Sequence, residues 1–430
     1  MVMHDTTRRR ARKRIDRRRF IEVTAAGGLA LAGCDRRKGA PWDVSSLAIG
    51  PERAPTGPTL RAGLVGCGRR GTEAALDFLD AGPRVELVAL ADLFEDQLER
   101  CRARLSESRR VDIPEERRFT GVDGYLPLLE VDLDIAIDAT PPHFRPKHLE
   151  AFIRARKHAW VEMPLAVDPV GVRSILASSE RADALGLSVV AASEFRRKRS
   201  VVETLRRVRQ GAIGEVVWAD GWRSGRAFDR HESPDGSSEA ESMIRDWESW
   251  CWLSGDAIVA RDVHSLDLLA LFSGRRPVKA MGVGGRIRRN VGDGYDFFAV
   301  DFTCADGVHM ASRCSWIDGY PVGVSHRIVG TGGSTNGHGT IFDPVGRVAW
   351  MYEGSDRHPV GKQAQIDLIA AIRNGEAIND LPAGADATLS AIMGRESAYA
   401  GLEVFREELM ESDLQLGSSD AYSVPEPGRL

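Results

Sequence analysis

A glycine-rich turn between a predicted strand and a predicted helix is the feature that most restricts the fold of this chain. The apolar stretch Leu60–Val65 predicts a short strand, and residues 66–71 follow it directly with the pattern GxGxxG. In this order Gly66 permits a tight turn, Gly68 lets the backbone approach a pyrophosphate, and Gly71 lets the helix pack close to the strand. The pattern alone is a weak signal, so the elements that follow decide what it means.

A carboxylate at the end of the second predicted strand strengthens the nucleotide-binding interpretation. Residues 85–92 form a buried type of strand that ends in Asp92, roughly 20 residues after Gly71. A carboxylate in this place accepts hydrogen bonds from the adenosine ribose and repels a 2′-phosphate, so NAD is favoured over NADP. Arg69 and Arg70 in the turn leave room for a phosphate, and NADP stays open as the less favoured cofactor. Asp92 also suits the N-cap of the next predicted helix, a role compatible with the first.

Apolar strands and amphipathic helices continue to alternate after Asp92. Three more apolar stretches begin at Asp134, His158 and Leu187, and helices are predicted over residues 148–155 and 169–185. This alternation predicts a parallel, doubly wound sheet that binds its ligand at the carboxyl ends of the strands. The further side chains that we expect around the cofactor are Thr140, Pro141, His143 and Glu162.

The length of the chain predicts more than one domain, since 430 residues exceed what one hydrophobic core usually organises. We place the nucleotide-binding domain at residues 59–195 and a second α/β domain at residues 196–425. Several strand candidates of the second domain alternate polar and apolar residues, as half-buried strands do. These candidates are residues 215–221, 278–284, 296–302, 308–312 and 326–330.

Residues 1–34 have the pattern of an export signal. The segment Asp16–Ile21 resembles a twin-arginine export motif, and the weakly apolar run Val23–Gly33 is too short to span a bilayer. The run ends in a sequence that resembles a bacterial lipobox, which makes Cys34 the expected lipidation site. Residues 35–58 are rich in Pro, Gly and Ser and predict a linker. We therefore expect a periplasmic or cell-surface protein held to the membrane only by its lipid; the alternative is a basic tail for nucleic acid or anionic lipid.

Charge and cysteine content argue against other classes of protein. The formal net charge is −4, and removal of the basic leader would make the remainder more acidic, which disfavours binding to nucleic acid. Acylation of Cys34 would leave an odd number of the 6 cysteines, and no CxxC motif or Cys/His cluster is present. Neither a disulfide framework nor a metal site is predicted.

Four later segments complete a family resemblance. Together with the glycine turn, their order and spacing resemble the Gfo/Idh/MocA oxidoreductases, which include glucose-fructose oxidoreductase and inositol dehydrogenase, over roughly residues 58–425. The resemblance implies a Rossmann domain followed by an α/β domain with an open, mainly antiparallel sheet that commonly forms homo-oligomers. It also implies a small carbohydrate-like substrate and hydride transfer with NAD or NADP. The four segments are residues 139–142, 161–164, 255–256 and 264–267.

The chain departs from the family pattern at two positions of the implied active site. In the family a Glu-Lys-Pro loop, an acidic residue and a histidine one helical turn later surround the nicotinamide. This chain has Glu162 but carries Met163 in place of the lysine, and Ala260 occupies the position of the acid. The resemblance makes His264 the acid/base. Asp267, three residues further along a predicted helix, is expected to hold the imidazole in one tautomer.

Four further residues are candidates for substrate binding. The basic run after the sixth strand contains Arg196 and Arg197, which suit a clamp on substrate hydroxyls or a carboxylate, or else begin a solvated helix. Trp247 suits stacking on a sugar ring, although tryptophans more often pack in a core. Asp262 offers a substitute for the missing acid. The segment from Asp262 to Asp267 also contains residue types that bind metal ions. The sequence shows no further cluster of histidines or carboxylates at a fixed distance from it, so a metal site is not favoured.

Three functions follow from these observations. The first is an NAD-dependent oxidoreductase that acts on a sugar, polyol or derivative by hydride transfer. The second is a redox-neutral lyase or glycosidase that retains NAD and oxidises its substrate only transiently; export and the missing lysine favour it. The third is a binding protein in which Met163 and Ala260 have removed the chemistry.

Overall fold

The computed structural model describes residues 49–109, 111–228, 231, 233–356 and 358–417. The export motif, Cys34 and residues 35–48 of the expected linker lie outside the described residues. Within the described residues, no helix has the length and apolar character needed to cross a membrane.

The first half of the chain forms a parallel sheet of six strands, which confirms the predicted doubly wound architecture. The order is β3-β2-β1-β4-β5-β6, so the strand order reverses at β1. The strands β4 and β6 are buried along their whole length, as expected for a sheet covered on both faces. The reversal opens a crevice beyond the carboxyl ends of β1 and β4. The strands are β1 (Leu60–Val65), β2 (Val85–Asp92), β3 (Arg118–Thr120), β4 (Ile135–Asp138), β5 (His158–Glu162) and β6 (Val189–Ala192).

Five helices connect these strands and cover the sheet. The helix after β1 starts inside the glycine turn, and its buried side chains include Phe78, which packs in the same core cluster as Leu64 of β1. The last of the five is capped by Asp168, whose carboxylate accepts a hydrogen bond of 2.7 Å from the amide of Gly171. The helices are α1 (Arg69–Ala81), α2 (Glu95–Arg109), α3 (Tyr125–Glu130), α4 (Arg145–Arg154) and α5 (Pro169–Ala184).

The second half forms a mixed sheet of nine strands in the order β14-β13-β12-β11-β7-β10-β9-β8-β15. Among the described strands of this sheet, only β7 and β10 pair in parallel, and the other neighbours are antiparallel, which confirms the mainly antiparallel sheet. Apolar side chains such as Met281 and Val283 are exposed on this sheet. The strands are β7 (Val216–Gly225), β8 (Pro277–Gly285), β9 (Phe297–Cys304), β10 (His309–Trp316), β11 (Gly323–Gly330), β12 (Gly333–Thr335), β13 (Thr340–Phe342), β14 (Val348–Met351) and β15 (Val404–Phe405).

The helices of the second half pack against both sheets. One wide turn, Ile258–Asp262, has the hydrogen bonding of a π-helix and leads directly into the next α-helix. The long helix Leu381–Ala400 contacts β8 and also α5, and helix Val360–Asn374 contacts α1. The C-terminal helices therefore tie the two halves together. The helices are α6 (Arg199–Arg209), α7 (Glu239–Arg245), α8 (Cys251–Ser254), α9 (Val263–Ser273), α10 (Val360–Asn374), α11 (Leu381–Ala400) and α12 (Arg406–Glu411).

Candidate active site

A cleft of about 790 Å³ opens at the carboxyl ends of the first sheet. The glycine turn and the loops after β2, β4 and β5 line one side of it, and residues of the second half line the other. The cleft therefore brings together the nucleotide-binding turn and the region of the predicted acid/base. Of the residues predicted for the site, those that line the cleft are Gly66, Gly68, Arg69, Arg70, Asp92, Thr140, Pro141, Glu162, Trp247 and His264.

The three glycines of the turn have the local geometry that a dinucleotide requires. Gly66 has a φ of +90°, and a Cβ there would lie 2.8 Å from the carbonyl carbon of Ala139. A Cβ on Gly71 would lie 1.8 Å from the carbonyl oxygen of Gly66, so the start of α1 packs directly on the turn. A Cβ on Gly68 would meet nothing within 4 Å. The turn thus leaves space at the N-terminus of α1 for a pyrophosphate, and these residues fit the cofactor.

Asp92 lies at the end of β2 and holds the glycine turn in place. Its Oδ2 accepts a hydrogen bond of 2.6 Å from the amide of Cys67, and its Oδ1 accepts one of 2.8 Å from the amide of Phe94. Burial raises the pKa of Asp92. Asp92 was also expected to cap the N-terminus of α2. The amide that its carboxylate binds is that of Phe94, the residue directly before this helix. The carboxylate lines the cleft where an adenosine ribose is expected.

A buried arginine that sequence reasoning missed fixes the loops after β4 and β5. The Nε of Arg145 donates to the carbonyl oxygen of Thr140 at 2.8 Å, and its Nη1 donates to that of Glu162 at 3.0 Å and to that of Pro164. Arg145 therefore holds both loops at the edge of the cleft. The signal available in the sequence was a basic residue at the start of α4, soon after the Thr-Pro-Pro loop.

His143, which we expected at the cofactor, is not among the residues that line the cleft. Its ring makes an edge contact with Trp252 at a centroid distance of 5.1 Å, and its amide donates to the carbonyl oxygen of Leu253 at 3.3 Å. Burial lowers the pKa of His143. The side chain packs against α8 because an aromatic partner is available there.

The carboxylate of Glu162 is held by the glycine turn. The Nε of Arg70 lies 2.5 Å from Oε1 of Glu162, and the same guanidinium lies 5.6 Å from the ring centroid of Trp160. This ion pair joins the end of β5 to the start of α1. Glu162 therefore lines the cleft as a carboxylate that is already paired with Arg70.

His264 is half-buried on α9 and faces the cleft. Its Nδ1 accepts a hydrogen bond of 3.3 Å from the backbone amide of Glu194. Burial, together with the cation of Arg223, lowers the pKa of His264 to about 4, so the ring is neutral at neutral pH.

Asp267 does not hold the imidazole of His264, contrary to our expectation. Its Oδ2 accepts a hydrogen bond of 2.6 Å from the hydroxyl of Ser193, and its Oδ1 lies 2.5 Å from Nη2 of Arg196. Two strong buried partners therefore occupy this carboxylate, although it lies three residues after His264 on the same helix.

The structure also gives three predicted substrate residues other partners, and none of them lines the cleft. Arg196 is paired with Asp267 inside the protein, and Arg197 lies between Asp367 at 2.8 Å and Asp380 at 2.6 Å. Asp262 is buried and accepts a hydrogen bond from Ser312 of β10. All three side chains are engaged by other residues of the second half, and they do not reach the cleft.

The buried Asp262 predicts a pH dependence of stability. Burial raises its pKa from 3.8 to about 7, so the folded protein holds this proton more tightly than the unfolded chain does. Stability then falls as the pH rises from about 4 to about 7 and stays lower above that range. We expect Asp262→Asn to be more stable than the native protein at pH 8, on the order of 2–4 kcal/mol in urea unfolding. The gain should shrink towards pH 5; an equal change at both pH values contradicts this account.

Two family models match most of the described chain. One, described as the oxidoreductase family with an NAD-binding Rossmann fold, matches residues 60–190, and the other, the GFO/IDH/MocA C-terminal domain, matches residues 201–336. Together they cover more than half of the sequence. The chain belongs to the GFO/IDH/MocA oxidoreductase family.

Curated relatives match this GFO/IDH/MocA chain over part of its length. An alpha-N-acetylgalactosaminidase of Shewanella oneidensis is 28% identical over 211 residues, which is 47% of this chain and 44% of that protein. A glycosyl hydrolase family 109 protein of Streptomyces coelicolor is 27% identical over 180 residues, which is 39% of this chain and 36% of that protein. The chain thus aligns with less than half of the length of these relatives.

Solved structures of other proteins are similar to this fold over most of the chain. A scyllo-inositol dehydrogenase from Lactobacillus casei with bound NAD(H) and scyllo-inositol is 16% identical, covers 81% of this chain and 99% of that chain, and has a TM-score of 0.62. A UDP-N-acetylglucosamine 3-dehydrogenase from Acidithiobacillus ferrooxidans is 20% identical, covers 80% of this chain and 99% of that chain, and has a TM-score of 0.61. At these identities the likeness establishes the fold alone.

The two departures from the GFO/IDH/MocA pattern lie in the same cleft. Met163 and Ala260 both line it, and both are largely buried. Neither side chain carries a charge or a proton to exchange. Within the described residues, no group of three or more His, Cys, Asp and Glu is arranged to hold a metal ion.

Ionic groups that the sequence did not assign to the site line the same cleft as these apolar residues. Glu194, directly after β6, places Oε2 at 2.5 Å from Nη2 of Arg223 on β7, and Arg261 forms an ion pair with Glu248. All four side chains line the cleft. Glu194 was foreseeable, because it follows a strand of the parallel sheet. Arg223 was not, because it comes from a strand of the other sheet.

Proposed function

We propose that this protein is an NAD-dependent oxidoreductase that transfers hydride to or from a carbon of a sugar, polyol or related compound. One observation carries the proposal: the open glycine turn at Gly68 and the polar cluster of Glu194, Arg223 and His264 line one continuous cleft. A cofactor and a small hydroxylated substrate can therefore meet inside the protein. Membership of an oxidoreductase family supports this proposal.

The first half supplies the residues that would hold the dinucleotide. The amides at the start of α1 face the place of the pyrophosphate, and Asp92 lies where a ribose is expected, which supports NAD over NADP. Thr140, Pro141 and Glu162 line the same cleft as His264. When bound, the nicotinamide would supply the acceptor or donor of a hydrogen with its electron pair.

The second half supplies groups that suit a substrate with several hydroxyls. Arg223 and Arg261 each form an ion pair with a glutamate in the cleft, so their N–H groups can donate and the carboxylates can accept. Trp247 offers an aromatic face in the same region. A polyol or sugar satisfies donors and acceptors of this kind at the same time.

A second candidate is a redox-neutral lyase or glycosidase that retains NAD. The likeness to an alpha-N-acetylgalactosaminidase favours it, and so does the absence of the lysine at Met163. In such a reaction a hydroxyl is oxidised transiently, a neighbouring bond eliminates, and the oxidation is reversed. The same cofactor site and the same polar cluster serve both candidates.

One experiment separates the candidates. The purified protein, loaded with NAD, is incubated with free sugars, polyols and aryl glycosides, while reduced-nicotinamide absorbance and released products are followed together. We expect a net absorbance change with at least one sugar or polyol, and loss of the change in Gly68→Val. Glycoside turnover without net reduction supports the second candidate instead. Cofactor binding without turnover of any compound contradicts both and leaves a binding protein.

A further inference from the structure

The hydrogen bond to His264 fixes which ring nitrogen carries the proton. Nδ1 accepts the backbone N–H of Glu194 at 3.3 Å and therefore holds no proton itself. A neutral imidazole has one proton, which must then be on Nε2. A nitrogen that already carries a proton cannot accept another from a substrate hydroxyl. In this geometry His264 is a hydrogen-bond donor and not a base.

The charges around His264 keep the ring in this neutral form. Arg223 on β7 and Arg261 in the π-helical turn disfavour the imidazolium, whereas Glu194 after β6 and Asp267 on α9 favour it. Burial adds to the effect of the arginines, and together they lower the pKa of the ring to about 4. Asp267 favours the imidazolium only weakly, because its carboxylate is already bound by Ser193 and Arg196. Oxidation of an alcohol at neutral pH therefore needs another proton acceptor.

We propose that Glu194 is the proton acceptor in this site and that His264 donates its Nε2 proton as a hydrogen bond to the reacting oxygen. The assignment rests on the proposed oxidoreductase function and deepens it. It reverses the role that the family resemblance implied for His264.

The position of Glu194 suits this role. Its side chain lines the cleft and is 28% exposed, and its own backbone amide binds His264, so carboxylate and imidazole lie side by side. Arg223 contacts Oε2, which leaves Oε1 as the oxygen for a substrate hydroxyl. Burial opposes ionisation, but Arg223, with smaller contributions from His264 and Lys198, lowers the pKa of Glu194, so the carboxylate is ionised at neutral pH.

The chemical step balances with these groups and one co-reactant, an oxidised nicotinamide dinucleotide. The hydroxyl proton passes to Glu194 Oε1, the carbon–hydrogen bond breaks and its hydrogen leaves with both electrons to the co-reactant, and the carbon–oxygen bond becomes a carbonyl. His264 stays protonated on Nε2 throughout and stabilises negative charge on the oxygen. Arg223, 17% exposed beside the same carboxylate, supplies a cation to the cleft in which Met163 replaces the lysine.

Nitrogen-15 NMR of the histidine rings tests the inference without any substrate. His264→Gln identifies the signals of His264 among the 10 histidines. We expect the Nε2–H tautomer, with no titration between about pH 5.5 and 8, whereas an ordinary histidine titrates near 6.5. An Nδ1–H tautomer, or titration near 6.5, overturns the inference.

A second measurement uses activity and a matched control. We expect Glu194→Gln to lower kcat by roughly 100- to 10,000-fold with little change in the dissociation constant of NAD. Glu194→Asp, which keeps a carboxylate, should recover part of the rate. The control is Asp220→Asn, which removes the carboxylate of an ion pair with Arg313 outside the cleft and should leave kcat unchanged.

The outcomes separate this inference from the proposed function. NAD binding and turnover with an unchanged kcat in Glu194→Gln overturn the role of Glu194 alone. Absence of NAD binding in the native protein overturns the proposed function, and the proton step with it, whatever tautomer the NMR shows. Melting temperatures of each variant show whether a lost rate reflects lost folding.

Discussion

Gly68→Val is expected to abolish dinucleotide binding and to leave the fold intact. Gly68 has φ −65° and ψ −175°, an extended conformation that valine adopts, and a Cβ there would meet no atom within 4 Å. The isopropyl group would instead fill the space in front of the first amides of α1, where a pyrophosphate needs direct approach. We expect the dissociation constant for NAD, measured by calorimetric titration, to rise at least about 100-fold, or roughly 3 kcal/mol.

Gly71→Ala is the informative comparison for this prediction. Its Cβ would lie 1.8 Å from the carbonyl oxygen of Gly66, so the turn must move and the variant should lose thermal stability as well as binding. Gly68→Val should keep the native melting temperature. Native affinity for NAD in Gly68→Val would show that the turn does not face the cofactor.

The second large effect is expected at the buried ion pair of Arg196 and Asp267. Their side chains are only 8% and 1% exposed. Removing one partner breaks a buried ion pair, which typically costs 3–5 kcal/mol. We therefore expect Asp267→Ala to lose about that much free energy of unfolding in guanidinium titrations. The double variant Arg196→Met with Asp267→Leu should lose less, because no lone charge stays buried.

The pair of Arg313 and Asp220, which is more exposed than that of Arg196 and Asp267, is the matched control. The side chain of Arg313 is 58% exposed, and removing such a pair should cost less than about 1 kcal/mol. If Arg196→Met keeps native stability but loses substrate affinity, the earlier substrate hypothesis for Arg196 is correct and the structural role is wrong.

The first sheet shows how much of the fold the sequence predicts. The bounds predicted for β1, β2 and β5 agree with the structure, because buried parallel strands are continuous apolar runs between glycines and helices. β3, with the sequence Arg-Phe-Thr, was missed because a short edge strand carries little apolar signal. In the second sheet, β10 extends beyond the predicted residue 312 to Trp316, where polar and apolar residues still alternate.

The candidate site was less predictable, because its pairings depend on tertiary contacts. Helical spacing placed His264 and Asp267 on one face, but it gave no sign that Arg196 and Ser193 would take the carboxylate. The π-helical turn before α9 includes Ala260, so the regular helical spacing assumed between Ala260 and His264 does not hold there. The glycine turn and Asp92 were predictable, since both are local features of a strand, a turn and a helix.

Calorimetric titration of the purified native protein with NAD tests whether the glycine turn holds this cofactor. We expect saturable binding of one NAD per chain, tighter than that of NADP, and loss of this binding in Gly68→Val. Native protein that takes up no NAD at millimolar concentration, after any copurified nucleotide has been removed, contradicts the account.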